Sequence, residues 1–125
     1  MIYTSYYANR NLYNAPIGLR LIGISLKIPV WFKGGVFRHL APTSEILNIK
    51  DKMIYTRRYR EVVLSRLDPV RVYNVLDNSV LLCWESPEKF CHRHIVAQWL
   101  KEATGNKVME FDRKEPELQR YIEFE

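Results

Sequence analysis

Val80-Leu81-Leu82-Cys83-Trp84 is an unbroken apolar run between two turn-forming groups, Asp77-Asn78-Ser79 and Glu85-Ser86-Pro87. A strand that is apolar on both sides has to be covered on both faces, which a one-sided antiparallel sheet cannot do and a parallel sheet flanked by helices can. The rest of the chain supplies such a frame. Ile2-Tyr3-Thr4-Ser5-Tyr6-Tyr7, rich in β-branched and aromatic residues, predicts a first strand followed by the turn-prone Ala8-Asn9-Arg10-Asn11. Leu19 to Ile28 predicts a second, with Ile22, Ile24, Leu26 and Ile28 on one face and Leu21, Gly23 and Ser25 on the other. Lys107 to Phe111 predicts the last.

Between these lie helical patterns. Pro42-Thr43-Ser44 offers capping groups for a short helix at Glu45. Tyr59, Val62, Val63 and Leu67 repeat at helical spacing over Thr56 to Leu67, and Asp68-Pro69 opens a further helix that runs to Asp77. Ile95, Val96, Trp99, Leu100 and Ala103 form an apolar stripe that Gly105 closes. Leu118, Tyr121 and Ile122 predict a terminal helix over Pro116 to Ile122, whereas the stretch from Pro29 to Pro42 reads as a loop. Alternation of strands and helices predicts an α/β fold, a Rossmann-like three-layer sandwich with a mostly parallel sheet and helices on both faces, in one domain over residues 1–125.

Composition narrows the function classes. At 47% hydrophobic and 26% charged residues the chain is too apolar for disorder. No apolar run approaches the roughly 18 residues that would span a bilayer, so no membrane partner is expected. The N-terminus lacks the pattern of a secretory leader and there are two cysteines, which together point to a reducing, cytoplasmic setting. The formal charge of +5 is uneven: residues 1–93 carry 14 Lys/Arg against 7 Asp/Glu, and residues 94–125 carry 5 against 7. Such an excess attracts anions, whether a nucleotide or nucleic acid, and serves equally as ordinary solubility charge.

In open parallel sheets ligands bind beyond the carboxyl ends of the strands. Three stretches are expected to meet there: Ser5 to Arg10, Pro29 to Lys33 and Cys83 to Arg93. The last, Cys83-Trp84-Glu85-Ser86-Pro87-Glu88-Lys89-Phe90-Cys91-His92-Arg93, holds most of the chemistry. If the helix opens at Cys91, its dipole favours the thiolate, His92 exchanges protons, Glu85 acts as base or orients a cation, and Arg93 grips a phosphate. If the helix begins at Pro87, Cys91 and His92 extend the buried stripe and become packing residues. Cys83, inside the apolar run, reads as core, and a redox pair with Cys91 is the weaker alternative. Zinc on Cys83, Cys91, His92 and His94 matches none of the usual ligand spacings, so neither metal nor cofactor is expected. Arg57, Arg58 and Arg60 make a cationic helix face, and Trp31 and Phe32 beside Lys33 could stack on a base.

Three groups of residues also resemble the domain of unknown function 488 family, which has small prokaryotic and viral members. They are Ile2-Tyr3-Thr4-Ser5-Tyr6 with Ala8-Asn9; Pro29-x-Trp31-Phe32 leading to Leu40-Ala41-Pro42-Thr43; and Leu81-Leu82-Cys83-x-Glu85 followed by Phe90-Cys91-His92-Arg93. Tyr59 and Leu67-Asp68-Pro69 extend the likeness over most of the chain. The resemblance implies a Rossmann-like fold and a polar site around the Cys-x-Glu and Cys-His-Arg elements, without a reaction. Where that branch of the family carries an arginine after the second strand, this chain has Lys27, which cannot reproduce a bidentate grip.

The candidate set is therefore Glu85, Cys91 and His92 for chemistry, and Ser5, Tyr6, Asn9, Lys27, Trp31 and Arg93 for binding an anionic small molecule. The leading expectation is a domain that binds, and if enzymatic transforms, a phosphate-bearing small molecule such as a nucleotide. A nucleic-acid-binding or -modifying protein and a non-catalytic sequestering module of viral origin are the alternatives.

Overall fold

The computed structural model describes residues 1–14, 17–86 and 88–111. Among them five strands, β1 (Ile2–Tyr6), β2 (Arg20–Gly23), β3 (Gly35–Val36), β4 (Ser79–Cys83) and β5 (Met109–Glu110), form one parallel sheet in the order β3-β2-β4-β1-β5. The α-helices are α1 (Ser44–Leu47), α2 (Lys52–Val62), α3 (Pro69–Leu76) and α4 (His92–Thr104), with single 3-10 turns at Arg10–Leu12, Arg38–Leu40 and Leu64–Arg66. This is an α/β, Rossmann-like sandwich. Val80 to Cys83 of the apolar run, with Ser79, form the middle strand, β4, buried along its whole length, whereas Trp84 falls just beyond it and is exposed.

The two faces are covered unequally, for a topological reason. Ile2, Ile22, Ile24 and Leu81 pack against Tyr59, Leu64, Val72, Leu76, Val96 and Leu100 of the helical side. Tyr7, Val80 and Leu82 pack on the other side with Leu12, Phe111, Ile28 and Phe32. Parallel crossovers keep one hand, so connections that travel in opposite directions along the sheet must cover opposite faces. The links from β3 to β4 and from β4 to β5 both travel toward β5, and they carry α1 to α4 on one face. The link from β1 to β2 travels toward β3, and its 3-10 turn at Arg10–Leu12 covers the other.

Local chemistry sets where elements start and stop. Asp68 caps α3 by accepting from the Val70 amide at 3.0 Å, with Pro69 at the first helical position. Thr43 caps α1 from the Ile46 amide. Gly105 ends α4 at φ 74°, a left-handed conformation that glycine adopts without a Cβ clash. α2 begins at Lys52, ahead of the expected Thr56, because Asp51 accepts from the amides of Met53 and Ile54 at 2.9 and 3.0 Å.

β2 is shorter than the predicted strand. It stops at Gly23, and Leu26, expected on a buried face, is exposed. The chain is drawn out of the sheet at the Lys27 carbonyl, which accepts from Ser25 Oγ at 2.6 Å and from Trp84 Nε1 at 2.7 Å. Gly23 lets Tyr7 come close enough to support this bend, since a Cβ there would lie 2.6 Å from the Tyr7 hydroxyl. The stretch read as a loop contains β3, an exposed two-residue edge strand too short to leave a periodic signal. The helix predicted over Pro116 to Ile122 falls outside the described residues. Among the described residues no helix is long and apolar enough to cross a membrane.

Candidate functional site

β2 and β4 are neighbours, but the connection leaving β2 runs toward one edge of the sheet and that leaving β4 toward the other. Diverging connections leave a crevice at the carboxyl ends of two such strands. A cleft of about 340 Å³ lies there, walled by Ser25 to Lys27 after β2 and by Cys83 to Glu85 after β4. Tyr55, Leu47 and Ile49 of the helical side and Phe90 complete an apolar wall, in which Phe90 meets Tyr55 edge-on at 5.0 Å between ring centroids. Lys27 and Glu85, both exposed, bring one charge of each sign to the rim.

The floor is the start of α4. Cys91 is its N-cap, in extended conformation, and α4 opens at His92 with neither a side-chain cap nor an acidic residue in its first turn. Of the two starting points left open by the sequence, the later one is realised. Cys91 and His92 are nevertheless buried, because the helix end is turned into the protein beneath the cleft. The sulfurs of Cys83 and Cys91 are bonded to each other, so neither cysteine is a free thiol in this state. In this state Cys91 is not the expected thiolate nucleophile, while Cys83 is buried as a core residue and is also paired with Cys91, the redox pair that the sequence offered as the weaker alternative.

His92 is held on two sides. Its Nε2 lies 2.7 Å from the carbonyl oxygen of Ile24. A carbonyl only accepts, so Nε2 carries the proton and Nδ1 keeps a lone pair, directed toward Cys91 Sγ at 3.6 Å. Tyr59 packs at 5.5 Å against the ring. Burial lowers the imidazole pKa from 6.5 to about 4, with the neighbouring Arg93 and His94 charges adding to the effect and the Ile24 hydrogen bond opposing it. At neutral pH His92 is a neutral acceptor through Nδ1 rather than a proton donor.

Arg93 does not reach the cleft. Its side chain is fully buried and spent on four hydrogen bonds: Nε and Nη2 to the two Glu110 carboxylate oxygens at 3.2 and 2.9 Å, and Nη1 to the Glu85 carbonyl and Cys83 Sγ, both at 2.7 Å. The expected phosphate grip is instead an internal tie joining α4, β4 and β5, to which Thr4 Oγ1 adds a hydrogen bond to Glu110 at 2.7 Å. Ser5 and Asn9 are likewise occupied with one another and are buried, and the Asn9 amide also reaches the Phe111 carbonyl. Trp31 lines a separate groove with Tyr13, Leu21, Phe32 and Lys33, outside the cleft, and the Tyr7 ring packs edge-on against both Phe32 and Trp84. Tyr6 is the register partner of Cys83, half-buried and outside the cleft wall.

Compared with protein-family models, curated proteins and solved structures, the chain matches none. Geometry therefore has to carry the functional argument. Of the residues singled out from the sequence, the cleft brings together Lys27, Glu85, Cys91 and His92, with Cys83 beside them. Trp84 and Phe90 line it from within the stretch named from the sequence, without having been assigned a role there, and sequence reasoning missed Ser25, Leu47 and Tyr55. Tyr55 could have been found by extending the helical period back to Asp51, while Ser25 gave no signal, since its part depends on the Tyr7 hydroxyl 2.6 Å away. Arg58 and Arg60 of the cationic face are engaged by Glu45, Glu61 and Glu102 at 3.2 to 3.6 Å.

Proposed function

We propose that the cleft between β2 and β4 binds a phosphate-bearing small molecule of nucleotide type. The observation that carries this reading is the coincidence, in one crevice, of diverging strand connections with the uncapped N-terminus of α4. The first amides of a 13-residue helix lack intrahelical acceptors and sit at the positive end of its dipole, which suits an anion. Lys27 adds a full charge at the rim. Trp84 and Phe90 give a flat apolar body something to lie against, and Glu85 accepts hydrogen bonds from hydroxyl groups.

The test is thermal denaturation with a panel of nucleosides, nucleoside phosphates and sugar phosphates. A ligand at one hundred times its Kd stabilises by about 2.7 kcal/mol, which in a domain of this size raises Tm by roughly 10 °C. Lys27→Glu and Trp84→Ala, both at exposed side chains, should each weaken binding tenfold or more, and nucleosides without phosphate should shift Tm less. If no phosphate ester moves Tm at millimolar concentration, or if Lys27→Glu leaves the shift intact, the reading is wrong.

A further inference from the structure

Cys83 closes the central strand, Cys91 stands at the N-cap position of α4 and His92 begins it, and these three places converge although they are unremarkable in sequence spacing. One ligand-capable atom from each residue lies within 4.8 Å of the other two. We propose that, with its cysteines reduced, the protein holds a zinc ion on Cys83 Sγ, Cys91 Sγ and His92 Nδ1, with the fourth tetrahedral position facing the cleft.

Three observations support this independently of spacing. First, the tautomer of His92 is already fixed: Nε2–H donates to the Ile24 carbonyl, which leaves Nδ1 as the free donor atom. Metal-binding histidines are oriented by such an outer hydrogen bond. Second, Nδ1 stands 3.6 Å from Cys91 Sγ. A tetrahedral zinc with ligands at 2.3 Å (sulfur) and 2.0–2.1 Å (nitrogen) requires a separation of about 3.6 Å between them. Third, the charges close. Two thiolates and one zinc ion are neutral together, and the adjacent Arg93 is neutralised by Glu110 while its Nη1 lies 2.7 Å from Cys83 Sγ, placed to donate to a bound thiolate. All three side chains border the cleft, and three protein ligands with an accessible fourth position is the arrangement of zinc sites that act on a substrate.

Reaching this state from the disulfide takes two electrons and two protons, giving two thiols; a phosphine reductant supplies the electrons and is oxidised to phosphine oxide with water. Metal binding then displaces the two thiol protons. The experiment uses the full chain reduced with such a phosphine, its two thiols counted, and titrated with cobalt(II) as the spectroscopic probe. The expected result is one equivalent bound, with the intense visible bands of tetrahedral cobalt and a sulfur-to-cobalt charge-transfer band. His92→Gln should weaken binding at least tenfold, and the oxidised protein should show no such bands. X-ray absorption on the zinc-loaded wild type gives a readout that needs no variant to fold: two sulfurs at about 2.3 Å and nitrogen or oxygen at about 2.0–2.1 Å. Faint octahedral cobalt bands, fewer than two sulfurs, unaltered affinity in a folded His92→Gln variant, or failure to release two thiols would each overturn the proposal.

Discussion

The buried imidazole of His92 makes the protein less stable in acid. His92 has a folded-state pKa of about 4 against 6.5 when solvated, so below 6.5 the unfolded chain binds a proton that the folded one refuses. The stability this difference represents is present in full above pH 6.5 and is lost as pH falls toward 4, by roughly 3 kcal/mol in all. Urea denaturation of the disulfide-bonded protein across that window should show this loss, and His92→Gln should lessen it, leaving the smaller part due to His94, whose pKa burial and the Arg93 charge also lower. At the same scale Arg93 shows what sequence can and cannot say. A residue's type and its nearness to a helix start were legible. Its occupation by Glu110, seventeen positions later on an edge strand, was not, because nothing in the local pattern distinguishes a cation awaiting a ligand from one with an internal partner.

Elements were most legible where a local rule fixed them. The Asp68-Pro69 cap, the Gly105 stop and the two-sided apolar run all lie where the sequence puts them, since each follows from groups within a few residues. α2 starts ahead of the expected Thr56 because Asp51 caps it. Asp51→Ala removes the acceptor for two amides and should destabilise by about 1 kcal/mol in chemical denaturation. β5 has only two residues and is held by more than its ladder: Glu110 binds both Arg93 and Thr4. Glu110→Ala leaves a buried guanidinium without its carboxylate and should cost about 3 kcal/mol, the lower end for such a break since Glu110 is 22% exposed. Glu110→Gln, which keeps one acceptor, should recover part of that loss. β3 and the end of β2 were not legible, because tertiary hydrogen bonds to the Lys27 carbonyl decide where the strand gives way.

For the molecule as a whole, the parallel sheet and the position of its crevice follow from the apolar run and the order of elements, whereas the strand order itself had no signature in the sequence. That order has a consequence for how the chain is made. β1 lies between β4 and β5, so Ile2 must wait for Ser79, 77 residues later, and Tyr3 for Met109, 106 residues later. Pairings so remote close slowly, because the entropy of a long loop is lost before any contact compensates. A nascent chain that ends before Ser79 therefore carries Ile-Tyr-Thr-Ser-Tyr as a strand without a neighbour, and β1, made before the other four strands, is among the last of them to find its place.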